Sequence, residues 1–421
     1  MNFLSHVYFR LRRTSKAIQL FLLLAGPGLI VMIADNDAGG ITTYAATGAK
    51  YGYHLIWFLV LLLPVAYFIQ EMTVRLGAVT KHGHAEAIFS AFGPFWGWFS
   101  LIDLSVVNWL TLVTEFIGMT AALSIFHIPP VLTVAIVTVI MCAIFLVGRY
   151  WTWEKITMAF CALNLVYIPA AFMVRPDVSD ILWGFIPGAP GGFNNELFFF
   201  LMANIGTTIA PWMIFFQQSA VVDKGTKESE IVWGKLDTFF GALFTVVVAI
   251  FIIIVTATVL KGMNIDSAAQ AAHTMMGIHP TVGTLLAIGL FDAGFLGAIC
   301  ISLASSWAFG EVFGWAHSLN NRIREAPWFY VFYFLMIISA GMVVLIPNAP
   351  LVLITLFVQV IAVTLLPAAL VFLIILLNDK DTMGKYTNTL TQNIISWTIV
   401  VVIIILSTLY AMSAIFPNLF A

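Results

Sequence analysis

Two acidic residues, Asp35 and Asp37, interrupt an otherwise apolar stretch near the start of the sequence. Asn36 lies between them, and the pair Gly39-Gly40 follows before the apolar residues resume. Carboxylate oxygens bind cations, and a charge at the centre of a membrane span costs roughly 2.5–3.5 kcal/mol even on the scale derived from insertion experiments. A bound cation offsets that cost, so this interruption is a candidate cation site.

A second apolar stretch is interrupted between Asn204 and Trp212, where Thr207, Thr208 and Pro211 stand among small residues. Unwound backbone inside a bilayer is tolerated only where it is buried in protein or lines a water-filled cavity. Two interruptions in corresponding positions of two halves of a chain point to the binding site of a secondary transporter. The pattern therefore predicts one site that is built from both interruptions.

The composition of the chain indicates a membrane protein. The sequence is 61% hydrophobic and 9% charged, with a mean hydropathy of +1.01, whereas soluble domains carry about 25% charged residues. The formal net charge of −2 shows no excess of basic residues, so no nucleic-acid partner is expected. The three cysteines fall in apolar runs and are interpreted as buried hydrophobic residues. No cofactor is expected.

Apolar runs of about 20 residues predict an all-α polytopic membrane protein with eleven transmembrane helices. The runs lie near 18–49 (interrupted), 53–77, 95–125, 131–148, 153–174, 195–222 (interrupted), 236–260, 281–316, 328–347, 350–378 and 393–416. Because helices 1 and 6 are the broken ones, residues 1–421 are interpreted as one transporter domain with the LeuT-type 5+5 inverted repeat. Repeat one covers about 18–174, repeat two about 195–378, and an extra helix about 393–416.

The distribution of basic residues predicts the orientation of the chain. Of the 18 Lys and Arg residues, all but Lys50, Arg175 and Lys261 fall in segments on one side of the predicted membrane. Lys and Arg accumulate on the cytoplasmic side, so the N-terminus is predicted to be cytoplasmic and the C-terminus outside. The first apolar run is too long for a cleavable signal peptide. We expect an integral, multi-pass protein of the bacterial plasma membrane that contacts the lipid bilayer and works as a monomer.

Several short motifs occur in an order that is found in a known family. Over most of its length the chain resembles the NRAMP divalent metal transporters, and the agreement of several motifs in order is more specific than any one of them. The motifs are Gly26-Pro27-Gly28 with the acidic interruption, residues 51–57, residues 114–123, and Leu365-Leu366-Pro367. The resemblance implies the LeuT-type fold and a divalent metal ion as the transported substrate.

The departures from the family pattern concern the metal ligands. Asp37 matches the metal-binding Asp of the family, whereas Gly40 stands where the family has an Asn ligand. Ala210 stands where the family has a Met, whose soft thioether favours transition metals. Met213 lies nearby but not at the matching position, and it is expected to pack. This combination resembles the NRAMP-related magnesium transporters.

An Mg²⁺ site needs oxygen ligands and room for water, because this ion gives up its water molecules reluctantly. The small residues at positions 40 and 210 leave such room, and the two glutamines at positions 217 and 359 could bond to metal-bound water. The predicted metal site comprises Asp35, Asn36, Asp37, Gly40, Thr207, Ala210, Gln217 and Gln359.

Several of these residues also have a purely structural interpretation. Asp37 could cap the helix that follows it, since an acid is favourable at a helix N-terminus. Asp35 and Asn36 could contact the metal ligands instead of the metal, or they could face an aqueous vestibule. Thr207 and Thr208 could bond to the backbone of their own helix, as Ser and Thr commonly do.

The titratable residues argue against proton coupling. A proton path across a membrane usually consists of His, Asp and Glu side chains, but the eight histidines lie in loops or near span ends. At three positions where the family has residues of such a path, this chain has Leu112, Trp212 and Gln217, none of which titrates. Glu115 remains as a candidate for a proton site or a supporting group. The other deep carboxylates are Asp292, Glu311 and Glu71.

The sequence therefore predicts a secondary transporter that moves Mg²⁺, and also Mn²⁺, by alternating access without proton coupling. Within transport, the alternatives are a proton-coupled Mn²⁺ or Fe²⁺ importer and an organic-substrate carrier on the same fold. A metal sensor that moves nothing is a further alternative. An enzyme embedded in the membrane would need a nucleophile–base pair or a His–metal cluster within the bilayer. The sequence shows neither in the predicted spans, so an enzyme is not expected.

Overall fold

A computed structural model describes residues 25–192, 194–263, 265, 268–349 and 351–415, and within these ranges the secondary structure is helical with no β-strand. The predicted start of the first span, 18–24, lies outside the described residues. The helices are α1 (Pro27–Ala34), α2 (Ala38–Tyr51), α3 (Ile56–Thr80), α4 (His84–Phe92), α5 (Pro94–Ser124), α6 (Pro130–Phe145), α7 (Tyr150–Leu163), α8 (Tyr167–Met173), α9 (Val178–Trp183), α10 (Asn195–Gly206), α11 (Pro211–Asp223), α12 (Ile231–Val259), α13 (Ala268–Ile278), α14 (Pro280–Phe313), α15 (Pro327–Val344), α16 (Leu351–Asn378), α17 (Lys380–Met383) and α18 (Leu390–Ile415).

The helices follow the predicted spans, and their ends differ from the predicted ends by a few residues. Within the described ranges, nine helical segments are long and apolar enough to cross a membrane, and Pro130–Phe145 is a shorter apolar helix. The interrupted first span is present as α1 and α2. The total of eleven spans stays a prediction.

The first interruption forms because the backbone leaves the helical conformation at Asp37. Helix α1 ends at Ala34, and Asp37 is extended, with φ −75° and ψ 178°. Its Oδ1 atom accepts a hydrogen bond of 2.6 Å from the backbone N–H of Gly40, so that Asp37 is the N-cap of α2. An Asp at this position satisfies an N–H group that has no partner within the helix.

Pro211 causes the second interruption. Proline has no N–H, so the carbonyl of Thr207 loses the bond that would continue α10, and the residue before a proline is driven out of the helical conformation. Ala210 is extended as this rule requires, with φ −102° and ψ 149°. Helix α11 then begins at Pro211 itself.

The two broken spans lie in the interior of the bundle. In the most apolar window of Asn195–Asp223, 89% of the residues are buried, compared with 17% in Leu390–Tyr410. Helices α1 and α2 pack against α12, and α14 packs against α5. The outer helices direct large apolar side chains outward, as Phe95, Val139 and Ile394 show. This arrangement seals the unwound backbone from lipid.

Glycines bring neighbouring helices close to the start of α2. A Cβ atom on Gly118 of α5 would overlap the Cβ atom of Ala38, and one on Gly297 of α14 would lie 3.1 Å from the Cβ atom of Asp37. Small residues let helix backbones approach closely within a membrane. The first turn of α2 therefore packs closely between α5 and α14.

We expect Gly118→Val to destabilise the protein, because the new side chain would collide with Ala38. Overpacking of a closely packed interior costs about 1–3 kcal/mol. Ala121→Val on the same helix is the matched control, because Ala121 lines a cavity instead of a helix contact. The thermal midpoint in detergent should fall for Gly118→Val and stay near the wild-type value for Ala121→Val. Equal midpoints for both variants would contradict this account of the contact.

Candidate metal site

The two interruptions face each other. The hydroxyl groups of Tyr44 on α2 and Thr208 lie 3.2 Å apart. The amide nitrogen of Asn204 on α10 donates to the Thr47 hydroxyl at 3.0 Å. Sequence analysis missed Tyr44, although its position seven residues after Asp37 places both on one face of a helix. The contacts bring residues of both interruptions into one site, as the paired pattern predicts.

Oxygen atoms surround the missing side chain of Gly40. The position that its Cβ atom would occupy lies 2.5 Å from Thr207 Oγ1, 3.2 Å from the backbone oxygen of Asp35 and 3.3 Å from Asp37 Oδ1. Any larger residue at this position would displace at least one of these atoms. Glycine thus lets oxygen atoms of the two interruptions approach one another closely.

Several of the buried oxygens lack a hydrogen-bond partner among the residues that the structure describes. They are Asp35 Oδ2, Asn36 Oδ1, Thr207 Oγ1 and Glu115 Oε1. Asp35 and Thr207 are each 1% exposed, and Asn36 is fully buried. An unpaired buried polar atom costs about 1–3 kcal/mol, and more if it is charged. A cation that binds two or three of these oxygens would remove that cost.

Thr207 and Thr208 behave differently, although they are adjacent. Thr208 donates to the carbonyl of Asn204 at 2.8 Å, as Ser and Thr commonly do within a helix. The hydroxyl of Thr207 makes no such bond within the described chain and lies beside Gly40. Of the two hydroxyl groups, Thr207 is therefore the one available to a ligand.

Gln359 of α16 reaches the first interruption. Its side chain is 2% exposed, and its Nε2 atom lies against Gly39 without an acceptor in the described part of the chain. The nitrogen and oxygen of a glutamine amide are assigned from their surroundings. Rotation of this amide by half a turn would direct Oε1 toward Gly39 and add another oxygen to the site.

Ala210 contributes backbone and space to the second interruption. Its side chain is 4% exposed, and its N–H donates to the Met213 sulfur at 3.3 Å. Met213 is fully buried in the hydrophobic core, as expected, and its sulfur in addition lies beside the backbone of the interruption. A soft atom lies close to the site, although the matching family position is an alanine.

Glu115 of α5 supports the first interruption directly. Its Oε2 atom accepts a hydrogen bond of 3.0 Å from the backbone N–H of Ala38. Glu115 and Asp37 both lie against Gly297 of α14, where a Cβ atom would be 3.1 Å from Glu115 Oε2 and 3.1 Å from the Asp37 Cβ atom. Glu115 thus positions Asp37 and the first turn of α2.

The structure separates Gln217 from this group. Its Nε2 atom donates to the Thr238 hydroxyl at 2.7 Å, and Thr238 lies against Gly28 at the far end of α1. Seven residues of helix separate Gln217 from Ala210, which corresponds to about 10 Å. The sequence analysis placed Gln217 in the metal site as a residue that could bond to metal-bound water, whereas its hydrogen-bond partner is Thr238.

The other deep carboxylates have protein partners. Asp292 accepts a hydrogen bond of 2.8 Å from Asn164, in the short 3₁₀ segment between α7 and α8. Glu311 accepts bonds from the backbone of Ala85 and from the Ser219 hydroxyl. Glu71 forms ion pairs with Arg75 and Lys235, at 3.3 Å and 2.6 Å.

A cavity leads to the first interruption from one side. Its volume is about 270 Å³, and it extends from Ser124 at the end of α5 to Ala38, the neighbour of Asp37. The hydroxyl groups of Thr42, Thr114 and Thr355 line part of it. This is the side that the sequence predicts to lie outside, so a cation could approach Asp37 from there.

Comparisons with known proteins identify the relatives of this chain. Residues 28–413 match the family model described as Nramp: Natural resistance-associated macrophage protein-like. The protein named Divalent metal cation transporter MntH from Staphylococcus saprophyticus is 26% identical over 92% of this chain and 91% of its own length. The protein of the same name from Caldanaerobacter subterraneus is 28% identical, over 70% of this chain and 67% of its own length.

Solved structures confirm the LeuT-type fold. The crystal structure of a manganese transporter mutant from Eremococcus coleocola gives a TM-score of 0.76 at 20% identity, covering 94% of this chain and 88% of that chain. The structure of MhsT in complex with L-phenylalanine gives a TM-score of 0.58 at 13% identity, covering 92% of this chain and 98% of that chain. The order and packing of the helices are thus shared with both proteins.

We expect Asp37→Asn to fold but to lose metal binding. The asparagine oxygen can still cap α2, whereas the charge is lost. Mg²⁺ at about 100 times its Kd should stabilise the wild-type protein by about 2.7 kcal/mol, and the thermal midpoint of the variant should not respond. Asp37→Ala should also lower the midpoint without metal, since loss of an N-cap costs about 1 kcal/mol. An equal response of wild type and Asp37→Asn to Mg²⁺ would refute this role of Asp37.

Proposed function

The chain belongs to the Natural resistance-associated macrophage protein-like family, and we propose that it carries a divalent metal cation across the membrane by alternating access. The observation that supports this proposal most directly is the convergence of the Asp35 carbonyl, the Asp37 carboxylate and the Thr207 hydroxyl around Gly40 in the buried interior. The relatives named as divalent metal cation transporters support it as well. Transport, rather than an enzymatic reaction, is the role that this family membership supports.

We propose Mg²⁺ as the main substrate and Mn²⁺ as a second one. Two carboxylates and several neutral oxygens form a hard donor set, which suits Mg²⁺. The residue at position 210 supplies no thioether. Met213 is the feature that favours Mn²⁺, because its sulfur is close enough to contact the backbone of Ala210.

We expect Ala210→Met to raise transport of Mn²⁺ or Cd²⁺ relative to Mg²⁺. The new thioether would add a soft ligand to the site and fill space that hydrated Mg²⁺ needs. The measurement is metal uptake into proteoliposomes, with the Mn²⁺/Mg²⁺ ratio as the readout. Met213→Leu tests the opposite change, because it removes the nearby sulfur and should shift the Mn²⁺/Mg²⁺ ratio toward Mg²⁺.

A double variant tests the contribution of Gly40 to selectivity. Gly40→Asn restores the second family ligand but forces the Thr207 hydroxyl to turn away, since that atom lies 2.5 Å from the position of the new Cβ. We expect the double variant Ala210→Met/Gly40→Asn to exceed the single variant in Mn²⁺ preference. An unchanged Mn²⁺/Mg²⁺ ratio in both variants would show that these two positions do not determine selectivity.

We propose that metal transport proceeds without proton coupling. Glu115 accepts a hydrogen bond from the Ala38 N–H, which suits a fixed supporting role. The positions that would extend a proton path from it are Leu112 and Trp212, both buried and neither titratable. The membrane potential supplies roughly 2.3 kcal/mol per charge per 100 mV, and twice that for a divalent ion. That energy suffices for accumulation of the metal.

Internal pH in proteoliposomes at fixed potential should not change during Mg²⁺ uptake. We also expect Glu115→Gln to retain uptake, since the glutamine oxygen can still accept from the Ala38 N–H although the side chain no longer titrates. Glu115→Leu should lose uptake, because the hydrogen bond from Ala38 would be lost. Metal-dependent acidification that disappears in Glu115→Gln would instead make Glu115 a proton carrier and favour the proton-coupled Mn²⁺ or Fe²⁺ importer.

The same flux measurement separates the remaining alternatives. An organic-substrate carrier would show no metal uptake, and a sensor would bind metal without flux. Monomeric assembly and a cytoplasmic N-terminus stay predictions of this proposal.

A further inference from the structure

The N-terminal end of α1 is bound by a single buried carboxylate. Asp237 of α12 is 1% exposed, and it accepts hydrogen bonds from the backbone N–H groups of Gly26, Gly28 and Leu29 at 3.1, 2.6 and 3.2 Å. The first N–H groups of a helix have no partner within the helix, and the helix dipole favours a negative charge at this end. Asp237 supplies both an acceptor and a charge from a neighbouring helix.

A buried ion pair holds the residue that precedes α1. The ammonium group of Lys224, at the end of α11, donates to the carbonyl of Ala25 at 3.0 Å and to Glu154 Oε1 at 2.8 Å. Glu154 of α7 lies directly against Gly26, where a side chain would overlap its carboxylate. Residues 25–29 are thus held by polar groups from three different helices.

The two ends of the broken first span differ in their access to solvent. The cavity of about 270 Å³ reaches Ala38 at the start of α2, whereas every residue of α1 except Leu29 is buried. Alternating access requires that the closed side opens while the open side closes. Movement of α1 away from α12 would open the closed side, and this movement must break the hydrogen bonds to Asp237.

We propose that Asp237, Lys224 and Glu154 form a latch that holds α1 closed, and that release of this latch opens the metal site to the side predicted to be cytoplasmic. This inference rests on the proposed transport function. The three residues are positioning residues, because they bind the half-helix and not the metal ion.

A small cavity provides a way for the latch to open. It has a volume of about 10 Å³ and lies between Pro27, Thr226, Glu230 and Asp237. That volume is close to the minimum for one water molecule. Water entering there could replace the backbone N–H groups as partner of the Asp237 carboxylate, so that release of α1 would not leave a buried charge unpaired.

Asp237→Asn tests the latch without changing the shape of the side chain. The amide keeps one acceptor oxygen but loses the charge, so we expect the equilibrium to shift toward the state that is open to the cytoplasm. The readout is labelling by a membrane-impermeant thiol reagent, with Cys142, Cys161 and Cys300 replaced by alanine. Ala34→Cys reports the closed side, and Ala121→Cys reports the open cavity.

We expect Asp237→Asn to increase labelling of Ala34→Cys from the cytoplasmic side about tenfold and to decrease labelling of Ala121→Cys from outside. Lys224→Gln should shift both reporters in the same directions. Glu228→Gln, an exposed residue at the same end of the molecule, is the control and should change neither. Unchanged labelling of both reporters in folded Asp237→Asn and Lys224→Gln would overturn the proposal.

A second variant tests the same movement if Asp237→Asn does not fold. A Cβ atom on Gly241 of α12 would lie 2.8 Å from the Gly28 carbonyl oxygen and 2.9 Å from the Met32 Cβ atom, so Gly241→Ala should force α1 away from α12. We expect Gly241→Ala to increase cytoplasmic labelling of Ala34→Cys and to decrease labelling of Ala121→Cys from outside. Unchanged labelling of both reporters in folded Gly241→Ala would also overturn the proposal. Since labelling needs no transported ion, failure of the latch is distinguishable from failure of the proposed transport.

Discussion

This architecture depends on one constraint: backbone polar groups must be paired where no bulk water is available. Each broken helix exposes N–H and C=O groups, and a lipid environment could not satisfy them. The chain therefore buries both interruptions and supplies partners from distant helices. Glu115 accepts from Ala38 and Asp37 accepts from Gly40 at the first interruption. The binding site occupies the part of this region where the pairing is left incomplete.

Charge distribution along α1 connects the site with the proposed change of access. The helix has Asp237 and the Lys224–Glu154 pair at its beginning and Asp35 at its end. Its middle is apolar and buried, apart from the Met32 carbonyl, which accepts from the Thr245 hydroxyl. A short rigid helix with polar contacts at both ends moves as one body. Events at the metal site and at the opposite end are therefore mechanically linked.

Sequence analysis predicted those features that depend on local chemistry. Pro211 and Asp37 located both interruptions, since a proline and an N-cap residue act on their own neighbours. Contacts between distant segments were not predictable. Asp237 lies 209 positions from Gly28 along the chain, and no periodicity relates the two. The same limit applies to Gln217, which was predicted to belong to the metal site, because its partner Thr238 depends on how α11 packs against α12.

The glycine contacts around α2 have a consequence for how such a protein could diversify. Because Gly118 and Gly297 have no side chains, α5 and α14 pack closely against the first turn of α2. A larger residue at either position would not fit, so this wall of the site tolerates almost no change in residue size. The other wall includes Thr207 and Gln359, whose side chains end against Gly40 and Gly39. Descendants of this sequence could acquire a new ionic preference by substitutions in that second wall alone. One side of the interruptions is thus constrained by close helix packing, whereas the other side is built from side chains that can be exchanged.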